Sequence, residues 1–389
     1  MTMVLGLTLR STLSSAPDAL RHGKVMSKYR LFSEGIVKKQ INIFPFLLLL
    51  ALAGFFASCT ENSTEPVSEV DQSKIDAAFA QASQISNLRC LVVSHNGTIL
   101  REAYYGTAGP GIAHDVLSVT KSVTALLVGI ALEKGYIKSI DQPMGDFLRP
   151  MYPSIPQEKA NITIRHLLTM SGGFQWHELS APSDFNNWVN SANQVQYMLD
   201  RPLVAQPGQV FAYDSGALHL LSVIVAQATG RQTNDFAREY LFDPLEIGER
   251  NWEVDHQGYN YGAVGLQITP HDMVKIGELV LNHGEYGGKR VVSSEWIDQM
   301  TRTQISTGNA LPYGPEYGYC WWIGQSGGTS YAFANGWGGQ FIVVVPDENL
   351  VVVATNQWSG VTTSVANDQW YRTINLIMTN ILPAFKKID

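Results

Sequence analysis

A serine and a lysine three residues apart, Ser118 and Lys121, have the clearest potential for chemistry in this chain. They stand where a loop of small residues, 109–115, meets an apolar run that ends near Gly135. Apolar residues recur in that run at helical spacing, which predicts a helix over 119–133 with Ser118 near its start. Side chains at i and i+3 share a helix face. An amine held in a dry place there can take the serine proton and create a nucleophile.

The pair alone is weak evidence, because a serine three residues before a lysine occurs by chance about once in a chain this long. A helix-start serine beside a solvated lysine is the simpler interpretation.

Tyr213 supplies a second piece, since it precedes a predicted helix over 215–228. A phenol at such a junction can relay a proton when a nearby cation lowers its pKa. The alternative is a half-buried tyrosine with a satisfied hydroxyl.

A third piece is the glycine-rich run Trp337-Gly338-Gly339, which leads through Gln340 into a predicted strand over 340–345. Glycines let the backbone approach a ligand closely. A strand N–H at this point, together with the N–H of Ser118, would form an oxyanion hole. Taken alone, such a run is more often a turn than a site.

Predicted strands lie near both ends of the chain. The Asn96-Gly97 pair predicts a hairpin between strands over 88–94 and 98–105, and further strands are predicted over 317–324, 330–335, 340–345 and 350–355. Helices are predicted between these groups and at both ends, over 74–85, 164–170, 192–199, 215–228, 233–241, 270–282, 294–301 and 367–382. The pattern predicts an α+β fold: an antiparallel sheet built from both termini and flanked by helices, with an inserted mainly helical lobe.

The predicted domains follow from this pattern. Residues 74–389 form the globular domain, in which 74–117 and 316–389 make the sheet lobe and 118–315 the helical lobe. A cleft between the lobes is the expected binding site, with Ser118 opening onto it.

The first 58 residues read as a signal peptide, with an apolar stretch over 41–57 that follows basic residues and precedes small ones. Translation from Met26 would give a leader of ordinary length. The run into Cys59 resembles the lipobox of bacterial lipoproteins, so Cys59 is the expected lipid attachment site and 59–73 a flexible tether. An uncleaved membrane anchor is the alternative. Either way, the domain is expected outside the cytoplasm of a bacterial cell, facing the periplasm or the exterior.

Charge and composition exclude several classes of function. The formal net charge is −7, and without the first 58 residues 20 basic and 32 acidic residues remain, a net of −12. Such a surface disfavours nucleic acid as a partner. The nine histidines show no metal-ligand spacing, so neither a metal nor a cofactor is expected. Cys90 and Cys320 lie in apolar segments and are expected as buried free thiols, although a single bridge is also possible chemically.

Together the three pieces resemble the serine β-lactamase and penicillin-recognising hydrolase superfamily, and within it the class C β-lactamase-related group. The resemblance runs from about Lys74 to the C-terminus and includes the segments 162–172 and 265–272. It implies that Ser118 is the acylated nucleophile and Lys121 the proton relay. It also implies that Tyr213 passes a proton to the leaving group and activates the deacylating water.

Two departures from the family pattern refine the expected function. Ser215 stands where the family's Tyr-x-Asn motif has an amide that contacts substrate, and Trp337 stands where the third motif has a cation that holds a substrate carboxylate. Trp-Gly-Gly at this place resembles the family VIII carboxylesterases. The expected activity is therefore hydrolysis of small esters or amides. The alternatives are a D-Ala-D-Ala carboxypeptidase or β-lactamase, an amidase of ω-amino acid oligomers, and a catalytically silent binding homologue.

Overall fold

The computed structural model describes residues 70–248 and 250–385. The predicted signal segment over 1–58, the lipid attachment site Cys59 and most of the tether over 59–73 lie outside the described residues. Among the helices that are described, none has the length and apolar character needed to cross a membrane.

The described helices alternate with short strands in the middle of the chain. The α-helices are α1 Gln72–Ala82, α2 Val119–Glu133, α3 Gly145–Leu148, α4 Gln157–Ala160, α5 Ile164–Leu168, α6 Ser183–Val189, α7 Gln194–Asp200, α8 Ser215–Thr229, α9 Thr233–Ala237, α10 Pro270–Leu281, α11 Ser294–Met300 and α12 Thr363–Leu376. Short π-helical turns at Arg238–Phe242 and Ile377–Ile381 extend α9 and α12.

The strands fall into one large sheet and two small ones. They are β1 Leu88–His95, β2 Thr98–Tyr104, β3 His114–Asp115, β4 Asn251–Trp252, β5 Leu266–Ile268, β6 Glu285–Tyr286, β7 Lys289–Arg290, β8 Ile305–Leu311, β9 Gly314–Tyr317, β10 Trp322–Ser326, β11 Thr329–Gly336, β12 Gln340–Val345 and β13 Leu350–Asn356. The large sheet has the order β2-β1-β13-β12-β11-β10-β9-β8.

Pairing of β1 with β13 joins the two ends of the domain, so the predicted sheet built from both termini is confirmed. Every pair in this sheet is antiparallel. The central strands β12 and β13 are buried along their whole length, because α10 packs on one part of the sheet and α1 and α12 pack near β1 and β13. The predicted α+β architecture with helices between the strand groups is also confirmed.

The prediction of one strand over 317–324 was wrong. The chain turns between β9 and β10, where Gly318 N–H donates to the Trp321 carbonyl at 2.8 Å. Cys320 has a φ of 61°, and its N–H bonds to Leu168 at the end of α5. Neighbouring elements therefore satisfy the backbone of this turn in place of a strand partner. The two tryptophans at the end of this turn, Trp321 and Trp322, are both buried.

Two long buried helices position the candidate site. Residues 119–131 of α2 are all buried, and the helix packs against α8 and β11. Asp214 caps α8 by accepting the N–H of Ala217, and Gly230 ends the helix with a φ of 67°. The predicted free thiols are confirmed, since Cys90 and Cys320 are buried and unbridged.

Candidate active site

A turn between β3 and α2 places Ser118 at the start of a buried helix. Val116 N–H donates to Leu266 of β5 at 3.0 Å, and Leu117 then adopts a left-handed conformation with a φ of 48°. Ser118 follows as the N-cap residue of α2, with a φ of −69° and a ψ of −5°. Its side chain makes no cap hydrogen bond and is only partly buried, so the hydroxyl remains available to a ligand.

Lys121 lies one turn further along α2 and points back to Ser118. Its Nζ donates to Ser118 Oγ at 2.7 Å and to the Ala263 carbonyl at 3.1 Å. The lysine is 1% exposed. No carboxylate lies within ion-pair distance of this amine in the described part of the chain.

Burial lowers the pKa of the Lys121 ammonium to about 8, with the negative charge of Glu178 acting in the opposite direction. Removal from water disfavours the charged form of an amine. A pKa of 8 leaves roughly a tenth of the amine uncharged at pH 7. The site therefore contains a base of useful strength in direct contact with a hydroxyl.

Tyr213 covers this pair from the start of α8. Its ring centroid lies 4.8 Å from the Lys121 amine, its ring packs on Trp322 at 5.6 Å, and the residue is 8% exposed. Burial raises the pKa of the phenol far above its usual value, Glu178 raises it further, and a hydrogen bond with Ser118 opposes both. The sequence-based interpretation required a cation to lower this pKa; burial acts in the other direction. Tyr213 is therefore a neutral hydroxyl that can donate a proton or a hydrogen bond.

The backbone N–H of Ser118 is a free donor. The neighbouring N–H groups of Leu117, Val119, Thr120 and Lys121 each bond to an oxygen of the same turn. Within residues 70–248 and 250–385, the Ser118 N–H has no protein acceptor. A donor of this kind beside a nucleophile can stabilise an oxyanion.

The second predicted donor is the backbone N–H of Gln340, the first residue of β12. Gln340 pairs with Gly336 across the β11–β12 hairpin. Its side chain is fully buried, donates to the Asn356 carbonyl at 3.0 Å and accepts the Asn356 N–H at 3.1 Å. These contacts tie Gln340 to β13, and none of them involves Ser118, Lys121 or Tyr213.

The strand register places the Asn335 N–H on the side of β11 that faces away from β12. Peptide groups of an antiparallel strand point alternately to its two neighbours. Gly336 points toward Gln340 on β12, so Asn335 points toward β10, whose pairing already ends at Phe333. This strand end also lies against the serine turn, since a Cβ on Gly336 would stand 2.6 Å from the Val116 carbonyl oxygen.

The predicted Trp337-Gly338-Gly339 motif forms the turn of that hairpin. Trp337 is 42% exposed. The Gly338 carbonyl accepts from Gln369 at 2.7 Å, and the Gly339 carbonyl accepts from Asn356 at 2.7 Å. The glycines are thus held against β13 and α12, and these contacts do not reach the serine.

Ser215, predicted as a substrate contact, is bound to a residue that the sequence analysis missed. Its hydroxyl and its N–H donate to the Glu178 carboxylate at 2.7 and 3.0 Å, and Trp176 Nε1 donates to the same carboxylate at 2.9 Å. Glu178 influences the pKa values of both Lys121 and Tyr213. It therefore places a carboxylate next to the catalytic candidates, which nothing in the local sequence around residue 178 indicates.

Comparison with known proteins gives a consistent set of relatives. A family model described as Beta-lactamase matches residues 75–373. The chain is 22% identical over 285 residues to the 6-aminohexanoate-dimer hydrolase of Paenarthrobacter ureafaciens, covering 69% of this chain and 72% of the relative.

Solved structures share the fold. A putative 6-aminohexanoate-dimer hydrolase from Bacillus anthracis is similar with a TM-score of 0.62 and 20% identity, over 74% of this chain and 79% of the other. The hydrolase EstCE1, described as having promiscuous acyltransferase activity, is similar with a TM-score of 0.61 and 16% identity, over 77% and 98%.

Proposed function

Since this chain belongs to the β-lactamase family, we propose that it hydrolyses small esters or amides through a covalent acyl-enzyme on Ser118. The observation that carries the proposal is the 2.7 Å contact between Lys121 Nζ and Ser118 Oγ in a buried site. The relatives named as hydrolases support the reaction class.

The first half of the reaction uses the contacts around the serine. Uncharged Lys121 accepts the Ser118 proton while Oγ forms a bond to the substrate carbonyl carbon. The carbonyl oxygen becomes an oxyanion. The N–H groups of Ser118 and Asn335 are the donors that we propose for it, and each such donor typically contributes about 3–4 kcal/mol to transition-state stabilisation. The bond to the leaving group then breaks, and that group takes a proton from Lys121 or through Tyr213.

The second half repeats the same proton transfers with water. A water molecule gives a proton to the uncharged Lys121, directly or through Tyr213, and its oxygen bonds to the acyl carbon. Collapse of the second tetrahedral intermediate breaks the acyl–Oγ bond and returns the proton to Ser118. The acid product leaves, and the balance is one ester or amide plus one water.

Charge favours neutral substrates over anionic ones. Glu178 is a carboxylate close to Lys121 and Tyr213. Trp337 stands where the third motif of β-lactam-processing enzymes is expected to carry a cation. Efficient β-lactam hydrolysis requires a partner for the substrate carboxylate, so esters of uncharged acids are the better match.

A fluorophosphonate probe and a panel of p-nitrophenyl esters test the proposal. We expect labelling at Ser118 that disappears in Ser118→Ala, together with loss of ester turnover. Ser122→Ala is the matched control, because Ser122 lies in the same helix and its hydroxyl bonds to the Cys320 carbonyl. Folded wild-type protein that neither labels nor hydrolyses any ester, nylon dimer or nitrocefin would instead indicate a silent binding homologue.

We further propose that Cys59 carries a lipid that tethers the domain to a bacterial membrane, on the basis of the apolar stretch and the small residues before it. Fractionation of cells expressing the full chain tests this. Wild-type protein is expected with the membranes, and Cys59→Ala in the soluble fraction or as uncleaved precursor. Equal distribution of both proteins, at the same mature mass, would exclude the lipid anchor.

A further inference from the structure

The turn before Ser118 contains a conformation that leucine normally avoids. Leu117 has a φ of 48°, in the left-handed region where a Cβ crowds the following carbonyl oxygen. Non-glycine residues in this region persist only where surrounding contacts hold them, and they concentrate at functional sites. Leu117 directly precedes the nucleophile candidate, so its conformation sets the direction of the Ser118 backbone and side chain.

One side chain holds this conformation. Asp115 Oδ1 accepts the Leu117 N–H at 2.9 Å. The remaining bonds of the turn are between backbone groups: Val119 N–H donates to the Val116 carbonyl at 3.1 Å, and Thr120 N–H donates to the Leu117 carbonyl at 3.0 Å. Asp115 is also anchored, because it pairs with Gln267 of β5.

We propose that Asp115 is a positioning residue for the reaction, whose ionised carboxylate keeps Leu117 left-handed and so aims the Ser118 hydroxyl and N–H into the site. This inference rests on the proposed function of Ser118. A hydrogen bond to a charged acceptor is roughly twice as strong as one between neutral groups. Loss of the charge therefore loosens the turn without removing the side chain.

The surroundings of Asp115 make its charge sensitive to pH. Burial and, to a smaller extent, the charge of Glu253 raise the pKa of this carboxyl, the Leu117 N–H opposes them, and the resulting pKa is about 6. Glu253 is the charged group that faces it across the small sheet. His114 precedes Asp115 on β3, where successive side chains point to opposite faces, and burial together with Arg89 lowers the pKa of that histidine. Asp115 therefore loses its charge as the pH falls through about 6.

The ratio of kcat/KM between wild type and Asp115→Asn tests the proposal. Asparagine keeps the acceptor oxygen but carries no charge, so it imitates protonated aspartate. The ratio is expected to be about tenfold at pH 8, the difference between a charged and a neutral acceptor, and to fall toward one below pH 6. Titration of Lys121 affects both proteins and cancels in the ratio. Asp71→Asn, which alters a carboxylate that caps α1, is the matched control, with a ratio of one throughout.

A ratio that does not change between pH 5 and 8 would overturn the inference, because a purely structural defect affects all pH values alike. Glycine at position 117 gives a second test, since it adopts a positive φ freely. In a Leu117→Gly background, Asp115→Asn should cost less than threefold. An undiminished loss there would also overturn the inference. Absence of Ser118-dependent turnover in wild type would refute the proposed function instead, so the two failures are distinguishable.

Discussion

The pH dependence of ester hydrolysis follows directly from the burial of Lys121. The pKa of its ammonium is lowered from 10.5 to about 8, and the proposed reaction needs the uncharged amine. The uncharged fraction is then about 1% at pH 6, 9% at pH 7 and 50% at pH 8. From the titration of Lys121 we therefore expect kcat/KM for a p-nitrophenyl ester to rise about tenfold from pH 6 to 7 and about fivefold from pH 7 to 8, and ionisation of Asp115 adds roughly twofold to the first of these steps.

Stopped-flow or plate assays of p-nitrophenol release measure this profile, with Ser118→Ala measured in parallel to subtract spontaneous hydrolysis. Lys121→Met removes the titrating amine and keeps an unbranched side chain. It should lower kcat/KM by a factor on the order of 10²–10⁴, as loss of a general base does. It should also remove the rise between pH 6 and 8, except for the roughly twofold part that ionisation of Asp115 contributes.

A second buried lysine provides the control for that experiment. Lys159 is 7% exposed, and its Nζ donates to the Leu199 carbonyl at 2.6 Å. Lys159→Met should keep the wild-type profile even if the protein becomes less stable. A profile that is flat from pH 6 to 8 in wild type, or a rise of about tenfold or more that survives in Lys121→Met, would show that another group is the base and would refute the reasoning.

Three further predictions concern the same site. Glu178→Gln removes the negative charge that favours protonated Lys121, so the midpoint of the pH profile of kcat/KM should move below pH 8. Glu102→Gln, on edge strand β2, is the control and should leave the midpoint in place. An unchanged midpoint in Glu178→Gln would contradict the effect of Glu178 on the pKa of Lys121. Tyr213→Phe should lower kcat/KM more for esters with poor alkoxide leaving groups than for p-nitrophenyl esters, because only the alkoxide needs a proton on departure. Equal losses of kcat/KM in the two series would exclude Tyr213 from leaving-group protonation. Lys121→Met should unfold at a higher denaturant concentration than wild type at pH 7, and this advantage should shrink between pH 8 and 10.5. Over that range the unfolded wild-type chain binds more protons than the folded one, so the stability of wild type rises by about 3 kcal/mol. A pH-independent difference in the free energy of unfolding between the two proteins would contradict the lowered pKa.

The parts of the site that depend on local structure could be predicted from the sequence. Ser118 and Lys121 are close because they are one turn apart at the start of a helix whose apolar pattern is visible in the residues. The hairpin at Asn96-Gly97 and the end of α8 at Gly230 follow from turn and cap preferences in the same way. These features need only the spacing of neighbouring residues along the chain.

The parts that depend on distant contacts could not be predicted. Glu178 reaches Ser215 from 37 residues away in sequence, and no local pattern links the two. The direction of the pKa change at Tyr213 depends on how deeply the phenol is buried, which is decided by packing against residues such as Trp322. A tyrosine at a loop-to-helix junction is equally compatible with an exposed phenol beside a cation.

The second oxyanion donor illustrates why a motif can indicate a region without fixing the residue. The glycine-rich run after β11 marks a close approach of the backbone, but the direction of each peptide group there is set by strand register and by where β10 ends. A shift of one residue along a strand reverses the direction of every peptide group. Pairing of Gly336 with Gln340 directs both of those residues into the hairpin, and the last β10 pair at Phe333 leaves Asn335 facing outward. Both facts depend on pairings between strands, so Asn335 could be proposed as a donor only after the sheet was known.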